Sequence, residues 1–349
     1  MRAEQRHRLL QAALAALRNA RWLPVLGGIV LLALVFSQLS PAFLKFRNLQ
    51  NIAAQASVTG IMAAGMTFVI MTAGIDISVG ATIYLSLVLA NEIALKSMTP
   101  FVVYLVYPLS VVLGAFLGLV NGLLRDLLRI NPLVTTLATY IIYRGMATHI
   151  TRAKDIHPPG SARFFGIGDL GGVPMPIVIV LVVALVSALV LRYTRFGRYV
   201  LAIGASPASA YQSGLPVRRV LVAVYVIAGA CAGLGGLVLL GRVGAVQNDM
   251  GIGIEFTVIT AVVLGGTQLS GGRGSVVGSL LGAVLLIMIN NGLNIVRASP
   301  YIYDILRGSV LVGAVFLDRL SAVQRAGAWS QLRSGRLRAG RSDGAHPRL

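Results

Sequence analysis

The stretch PMPIVIVLVVALVSALVL, residues 174–191, carries no charged side chain and runs straight into Arg192, Arg195 and Arg198. An α-helix rises about 1.5 Å per residue, so roughly 20 apolar residues cross the ~30 Å hydrocarbon core of a bilayer. The stretch approaches that length, and the arginines at its end are of the kind that a spanning helix keeps on the cytoplasmic side. Similar runs lie at approximately 22–39, 55–73, 78–95, 101–123, 133–150, 220–240, 256–270, 275–293 and 301–317. They predict an all-α polytopic membrane protein, a bundle of about ten transmembrane helices. Glycines and polar residues blur the ends of the second, third and eighth.

Composition agrees. Of 349 residues, 56% are hydrophobic and 12% charged. Soluble domains carry about 25% charged residues, so lipid must be much of the solvent here. The formal charge of +19 would suggest nucleic acid in a soluble chain. Here the arginines sit between the apolar runs and in the tail, so they read as positive-inside topology and attraction to anionic lipid, with no nucleic-acid partner. Arg2, Arg6, Arg8, Arg18 and Arg21 precede the first run, and Arg125 and Arg129 follow the fourth. Arg192, Arg195, Arg198, Arg218 and Arg219 bracket the loop after the sixth. These positions place both termini in the cytoplasm and require an even number of spans. About twenty of the 30 Lys and Arg then fall inside and roughly eight outside, among them Lys45, Arg47, Arg152, Lys154 and Arg163.

The chain therefore divides into a basic cytoplasmic segment 1–21, a transmembrane domain 22–318 with a cytoplasmic loop 192–219, and a basic tail 319–349 whose composition predicts disorder. The first run has the basic flank of a signal peptide. Its length and the poor cleavage site at Ser37-Gln38-Leu39-Ser40-Pro41 make it a retained anchor. Before it, Leu10, Leu14 and Leu17 recur at helical spacing, as an interfacial helix or as a frayed Ala-rich terminus. Three rows of glycines, Gly114 with Gly118 and Gly122, Gly229 with Gly233, and Gly278 with Gly282, mark close approaches of helix backbones. The rows serve packing inside one subunit or, for one of them, a dimer seam.

Several chemistries are missing. A P-loop needs Gly-Lys-Ser/Thr to cradle phosphates, and the only lysines, Lys45, Lys96 and Lys154, do not follow a glycine. The four histidines, His7, His149, His157 and His346, show no ligand spacing with carboxylates, so no metal site is expected. The single cysteine, Cys231, lies inside an apolar run and reads as packing. Neither a nucleophile elbow nor a carboxylate dyad is visible, so the chain is not expected to be an enzyme. An ion-coupled carrier would carry carboxylates deep in its helices. Of 11 acidic residues only Asp304 lies clearly within a span, and Asp76 stands at the start of one.

The strongest local signal is in the loop after the sixth span. Ser206 suits an N-cap, Pro207 the first helical position, and Gly214 a left-handed C-terminal cap. They bracket a helix of about seven residues, too short to be stable by itself. It either seats on another protein or lies on the membrane face.

At these residues the chain resembles the permease subunits of ribose-type ATP-binding-cassette importers, over about residues 45–318. The stretch Gly74-Ile75-Asp76-Ile77-Ser78-Val79-Gly80 is similar to that family's signature after the second span. Asn121-Gly122, Asn131-Pro132, Thr135-Thr136-Leu137-Ala138, Arg144-Gly145, Val262 to Thr267, Ser270 to Gly274 and Asn290 to Asn294 follow in the family's order. The resemblance implies that Gly204, Ser206, Pro207, Ala210, Ser213 and Gly214 belong to a coupling segment seated in a groove of a separate ATPase. It also implies a second permease copy, as a homodimer or with a paralogue, a periplasmic solute-binding protein, and a pentose- or hexose-like solute. No cofactor belongs to this chain, since ATP is used by the partner. The chain departs from the pattern where Ser206 and Ala208 stand for an Asn and a Glu that such segments often carry, at Thr257 where the family more often has a second acid after Glu255, and in the loop 151–172, which matches poorly. Another branch of the same class, for branched-chain amino acids or nucleosides, is the first rival, and an ion-coupled secondary carrier the second.

Six polar residues are gating or pore candidates: Asp76, Ser78, Asn121, Arg144, Asn290 and Asn291. Four of them, Asp76, Arg144, Asn290 and Asn291, have a plainer reading. Asp76 suits an N-cap of the third span. Arg144 costs about 2.5–3.5 kcal/mol at a helix centre unless it is partnered or snorkels outward. Asp304 and Arg307 are spaced to pair on one helix face. Asn290, Asn291 and Asn294 should face the bundle or the pore, where bonding between helices and contact with solute are both open to them.

Overall fold

The computed structural model describes residues 22–96, 100–128, 130–157, 162–299 and 301–316. The expected interfacial helix around Leu10 and the basic tail lie outside these residues. The described residues are helical almost throughout: α1 Leu23–Leu39, α2 Phe46–Met71, α3 Val79–Lys96, α4 Pro100–Leu128 and α5 Pro132–Thr151 come first. After α6, Arg163–Ile167, a small hairpin of β1, Asp169–Leu170, and β2, Val173–Pro174, leads into α7, Met175–Tyr193. Then follow α8 Arg195–Ala205, α9 Pro207–Gln212, α10 Val217–Val243, α11 Ile254–Leu264, α12 Val276–Ile295 and α13, residues 301–316.

Among the described residues, α2, α7, α10, α12 and the Pro108–Leu128 part of α4 are long and apolar enough to cross a membrane, and α1, the first part of α3 and α11 are shorter apolar helices. The expected all-α membrane architecture is thus present. Two boundaries differ from expectation. Helix α2 begins nine residues earlier than the apolar run, because Arg47, Asn48, Gln50 and Asn51 extend it beyond its apolar part. The expected eighth span contains only α11, whose 11 residues rise about 16 Å and cover half a bilayer.

Burial is set by side-chain size rather than by hydropathy. The most apolar of the long helices, α7, is only 17% buried over its span, whereas α2 is 94% buried. Helix α2 carries Ala56, Gly60, Ala63, Ala64 and Gly65, which let neighbours approach from every side, and it packs against α7, α10, α11 and α12. Gly65 faces the backbone of Ala228 and the side chain of Cys231 on α10. The glycine rows act inside the subunit: Gly114 and Gly118 of α4 lie against Gly229, Gly233 and the Tyr225 carbonyl of α10, and Gly278 and Gly282 of α12 against Gly265 and Ala261 at α11.

Two interruptions give the bundle its functional shape. Between α2 and α3 the chain turns through residues 72–78, and between α10 and α11 it runs through an irregular strap, residues 244–253. They meet where Gly80, near the start of α3, rests on the Gly251 carbonyl. Glycines are required along the strap, since Gly244, Gly251 and Gly253 take φ of +82°, +86° and +77°.

Candidate functional site

The loop 192–219 is built as two helices, of which the sequence announced one. Ser206 caps α9, its Oγ accepting from the Ser209 amide at 3.2 Å. At the other end Gly214 takes φ +73°, and the Leu215 amide returns to the Ala210 carbonyl at 3.1 Å. Ala210 points inward at 4% exposure, whereas Pro207, Ala208, Tyr211, Gln212 and Ser213 are exposed. The preceding helix α8, capped by Thr194 Oγ1 on the Gly197 amide, was missed as an element. Its signal was present: Phe196, Val200 and Ile203 recur at helical spacing, and the last two are fully buried. Phe196 packs on Phe68 of α2. Gly204 stands against the Met71 carbonyl and Gly272, where a side chain has no room, and the Gly272 amide donates to that same carbonyl at 2.8 Å. The end of α2, the end of α8 and the turn 265–275 therefore form one contiguous contact, directly before α9.

Three of the six gating candidates come together deeper in the bundle. Asp76 Oδ1 accepts from the Ser78 amide at 2.9 Å and the Ser78 hydroxyl at 2.6 Å. Asn121 Nδ2 donates to Ser78 Oγ at 2.7 Å, and the Tyr143 hydroxyl donates to Asn121 Oδ1 at 3.2 Å and the Leu117 carbonyl at 3.0 Å. Thr136 Oγ1 receives the Ile77 amide. Asp76, Ser78 and Asn121 are all essentially sealed from solvent. The N-cap expectation for Asp76 is displaced by two residues. Helix α3 starts at Val79 and Ser78 precedes it, so Asp76 holds the capping residue.

Arg144 belongs to a different group. Its Nη1 donates to the Asn248 carbonyl at 3.0 Å, and its guanidinium lies 4.9 Å from the centre of the Tyr84 ring. The partnered reading holds over the snorkelling one. Asn248 is itself held by hydrogen bonds: its Oδ1 accepts from the Tyr84 and Thr148 hydroxyls, and its backbone N–H donates to Asp155 Oδ1. On α13, Arg307 pairs with Asp304 at 2.9 Å, as its spacing predicted, and also donates to the Gly253 carbonyl at 3.0 Å and Thr257 Oγ1 at 2.9 Å. Two arginines from α5 and α13 thus clamp the strap 244–253 by its carbonyls. Glu255 follows the strap, 3% exposed. One oxygen accepts from the Gly253 amide at 3.2 Å, and the other lies at Gly80 without a hydrogen-bond partner among the described residues.

Glu255, Tyr84, Asn248 and Arg307 were not foreseen as one constellation. The available signal was the cost of a carboxylate and arginines in apolar surroundings, which demands partners. Asn290 and Asn291 lie elsewhere. Asn291 exchanges two 3.0 Å bonds with Asn48 of α2, and Asn290 accepts from Asn294 on its own helix. Asn291 therefore has the role of bonding between helices. Among the described residues no group of acidic, His or Cys side chains is placed to hold a metal.

Comparison with known proteins gives this geometry a family. Residues 48–315 match the family model described as branched-chain amino acid transport system, permease component. The ribose import permease of Escherichia coli K12 is 38% identical over 83% of this chain and 91% of its own length. The D-allose transport system permease protein of the same strain is 34% identical over 84% and 90%. Its galactose/methyl galactoside import permease is 32% identical over 85% and 93%. No solved structure matches the chain. With a family model covering most of its length and relatives aligned nearly end to end, the chain belongs to the transport-system permease-component family, in the company of the ribose-type ATP-binding-cassette importer permeases.

Proposed function

We propose that the chain is the membrane-spanning subunit of an ATP-driven importer for a pentose- or hexose-like sugar, a multi-pass inner-membrane protein. The observation that carries it is the near full-length similarity to permeases named for ribose, allose and galactose. In this reading the ten helical runs cross the membrane, both termini are cytoplasmic, and α9 is the contact for a separate ATPase. The chain has no P-loop of its own, so ATP is bound and hydrolysed by that partner. A second permease copy completes the pore, and a periplasmic binding protein delivers the sugar.

Mechanism follows from contiguity. Force on α9 and Gly204 reaches Met71 and Gly272 directly. The end of α2 continues into residues 72–78, where Asp76, Ser78 and Asn121 lock the start of α3. The start of α3 bears on the strap at Gly251, which Arg144 and Arg307 hold shut from the opposite side. Rigid displacement of packed helices about such contacts is a recognised switching mode. The cytoplasmic drive and the outer strap are then two ends of one lever.

Reconstitution with the ATPase and binding protein encoded in neighbouring reading frames tests the reading. Uptake of ribose, allose or galactose should require ATP and survive dissipation of the proton gradient. The family description names branched-chain amino acids, so leucine is the matched competitor. Uptake of leucine with exclusion of the sugars would replace the substrate assignment, and uptake that collapses with the proton gradient would replace the energy source.

A further inference from the structure

A groove of about 520 Å³ lies between α4 and α10, outside the pathway just described, lined by Leu123 and Asp126 on one side and Arg218, Arg219, Val222 and Val226 on the other. It flanks the glycine row of α4. Gly118 and Gly122 hold α4 against Tyr225 and Val222 of α10, and the groove runs beside that close contact. The wall is almost wholly apolar, and its polar groups are gathered at one end. Along α10 the wall runs from Arg218 to Ile227, nine steps or about 14 Å of helix rise. Half the bilayer core is about 15 Å, so the groove has the length of one leaflet's acyl layer.

Charge decides the occupant. Arg218 pairs with Asp126, which neutralises that carboxylate. Arg219 is exposed and has no acidic partner among the described residues. The mouth thus carries one uncompensated positive charge above an apolar slot. Basic pockets between helices on the cytoplasmic side suit anionic lipid headgroups.

We propose that this groove binds one anionic glycerophospholipid of the cytoplasmic leaflet, its phosphate on Arg219 and Arg218 and one acyl chain along Val222 and Val226. The assignment rests on the cytoplasmic orientation of this end, given under the proposed function. Arg218 follows α9 by only six residues, so an occupied groove stiffens the segment through which the ATPase acts.

Native mass spectrometry of the delipidated full-length chain, titrated separately with phosphatidylglycerol and phosphatidylcholine, reads the preference directly. Phosphatidylglycerol should bind about fivefold more tightly for the uncompensated arginine, and Arg219→Gln should abolish that difference. A Val226→Trp variant places an indole in the slot, and brominated phosphatidylglycerol should quench it more strongly than brominated phosphatidylcholine. Equal binding of the two lipids, with equal quenching, would overturn the proposal. So would a Val226→Cys variant that forms a disulfide-linked dimer in the membrane, since the groove would then seat a second copy. These readouts do not depend on transport, so loss of sugar uptake and loss of lipid preference are separately detectable.

Discussion

Asp76 is buried at 1% exposure because one of its oxygens satisfies two donors of Ser78, the residue from which α3 starts. A buried donor left without an acceptor costs about 1–3 kcal/mol. Asp76→Ala should therefore lower the thermal midpoint of the purified protein, whereas Asp76→Asn, which keeps an acceptor oxygen, should lie much closer to the parent. Equal midpoints for the two variants would mean that Ser78 finds another acceptor. Arg144 poses the same question with a charge. Its carbonyl partner, Asn248, is 104 residues further along the chain, and no local spacing reveals it. Asp304 and Arg307, three residues apart on one helix, were legible as a pair. That Arg307 also holds Gly253 was not legible, for the same reason as Arg144.

Among elements, α9 and the pair of α4 with α10 respond to substitution in opposite ways. Gly214 has open space around it but takes φ +73°. Gly214→Val should strain this turn by about 1–2 kcal/mol without touching the core. The variant should fold and insert, yet lose stimulation of ATP hydrolysis by the loaded binding protein. Normal stimulation and uptake would remove α9 from the coupling role. Gly118 lies against the Tyr225 carbonyl and the Gly229 Cα, backbone atoms that cannot rotate away. Gly118→Val must push the helices apart, and overpacking of this kind costs about 1–3 kcal/mol or more. A monodisperse peak on size exclusion should be lost. Gly145→Ala is the matched control, since nothing lies within 4 Å of the added methyl. It should be neutral or stabilising by helix propensity, by up to about 1 kcal/mol.

Across the whole molecule, the strap 244–253 is held at its middle, Asn248, and at its far end, Gly253, by side chains from helices distant in sequence. Arg144→Gln and Arg307→Gln should each raise amide hydrogen exchange in 244–253 while leaving the middle of α10 protected. If the two arginines hold one body, the double variant should differ from the sum of the singles. Unchanged exchange in the strap would separate the clamp from any gate. Proteoliposome uptake in the same variants should fall with binding-protein-stimulated ATP hydrolysis retained, because the strap is at the far end of the lever from α9.

Apolar length along the chain determined that this protein lives in a membrane, and the Ser206-Pro207 start with Gly214 at the end determined α9, since capping is settled within a few residues. The glycine rows were legible as close contacts, and tertiary structure assigned their partners within one subunit. Hydropathy could not say which helix is central. It ranks α7 highest, and α7 is peripheral, while the Ala- and Gly-rich α2 is enclosed. In lipid no hydrophobic force draws the most apolar helix inward, so the centre goes to the helix whose backbone can be approached. The short α11, the strap and its two arginines were likewise decided by tertiary packing. A half-length helix tolerates irregular backbone beside it only where neighbouring helices supply its missing hydrogen bonds.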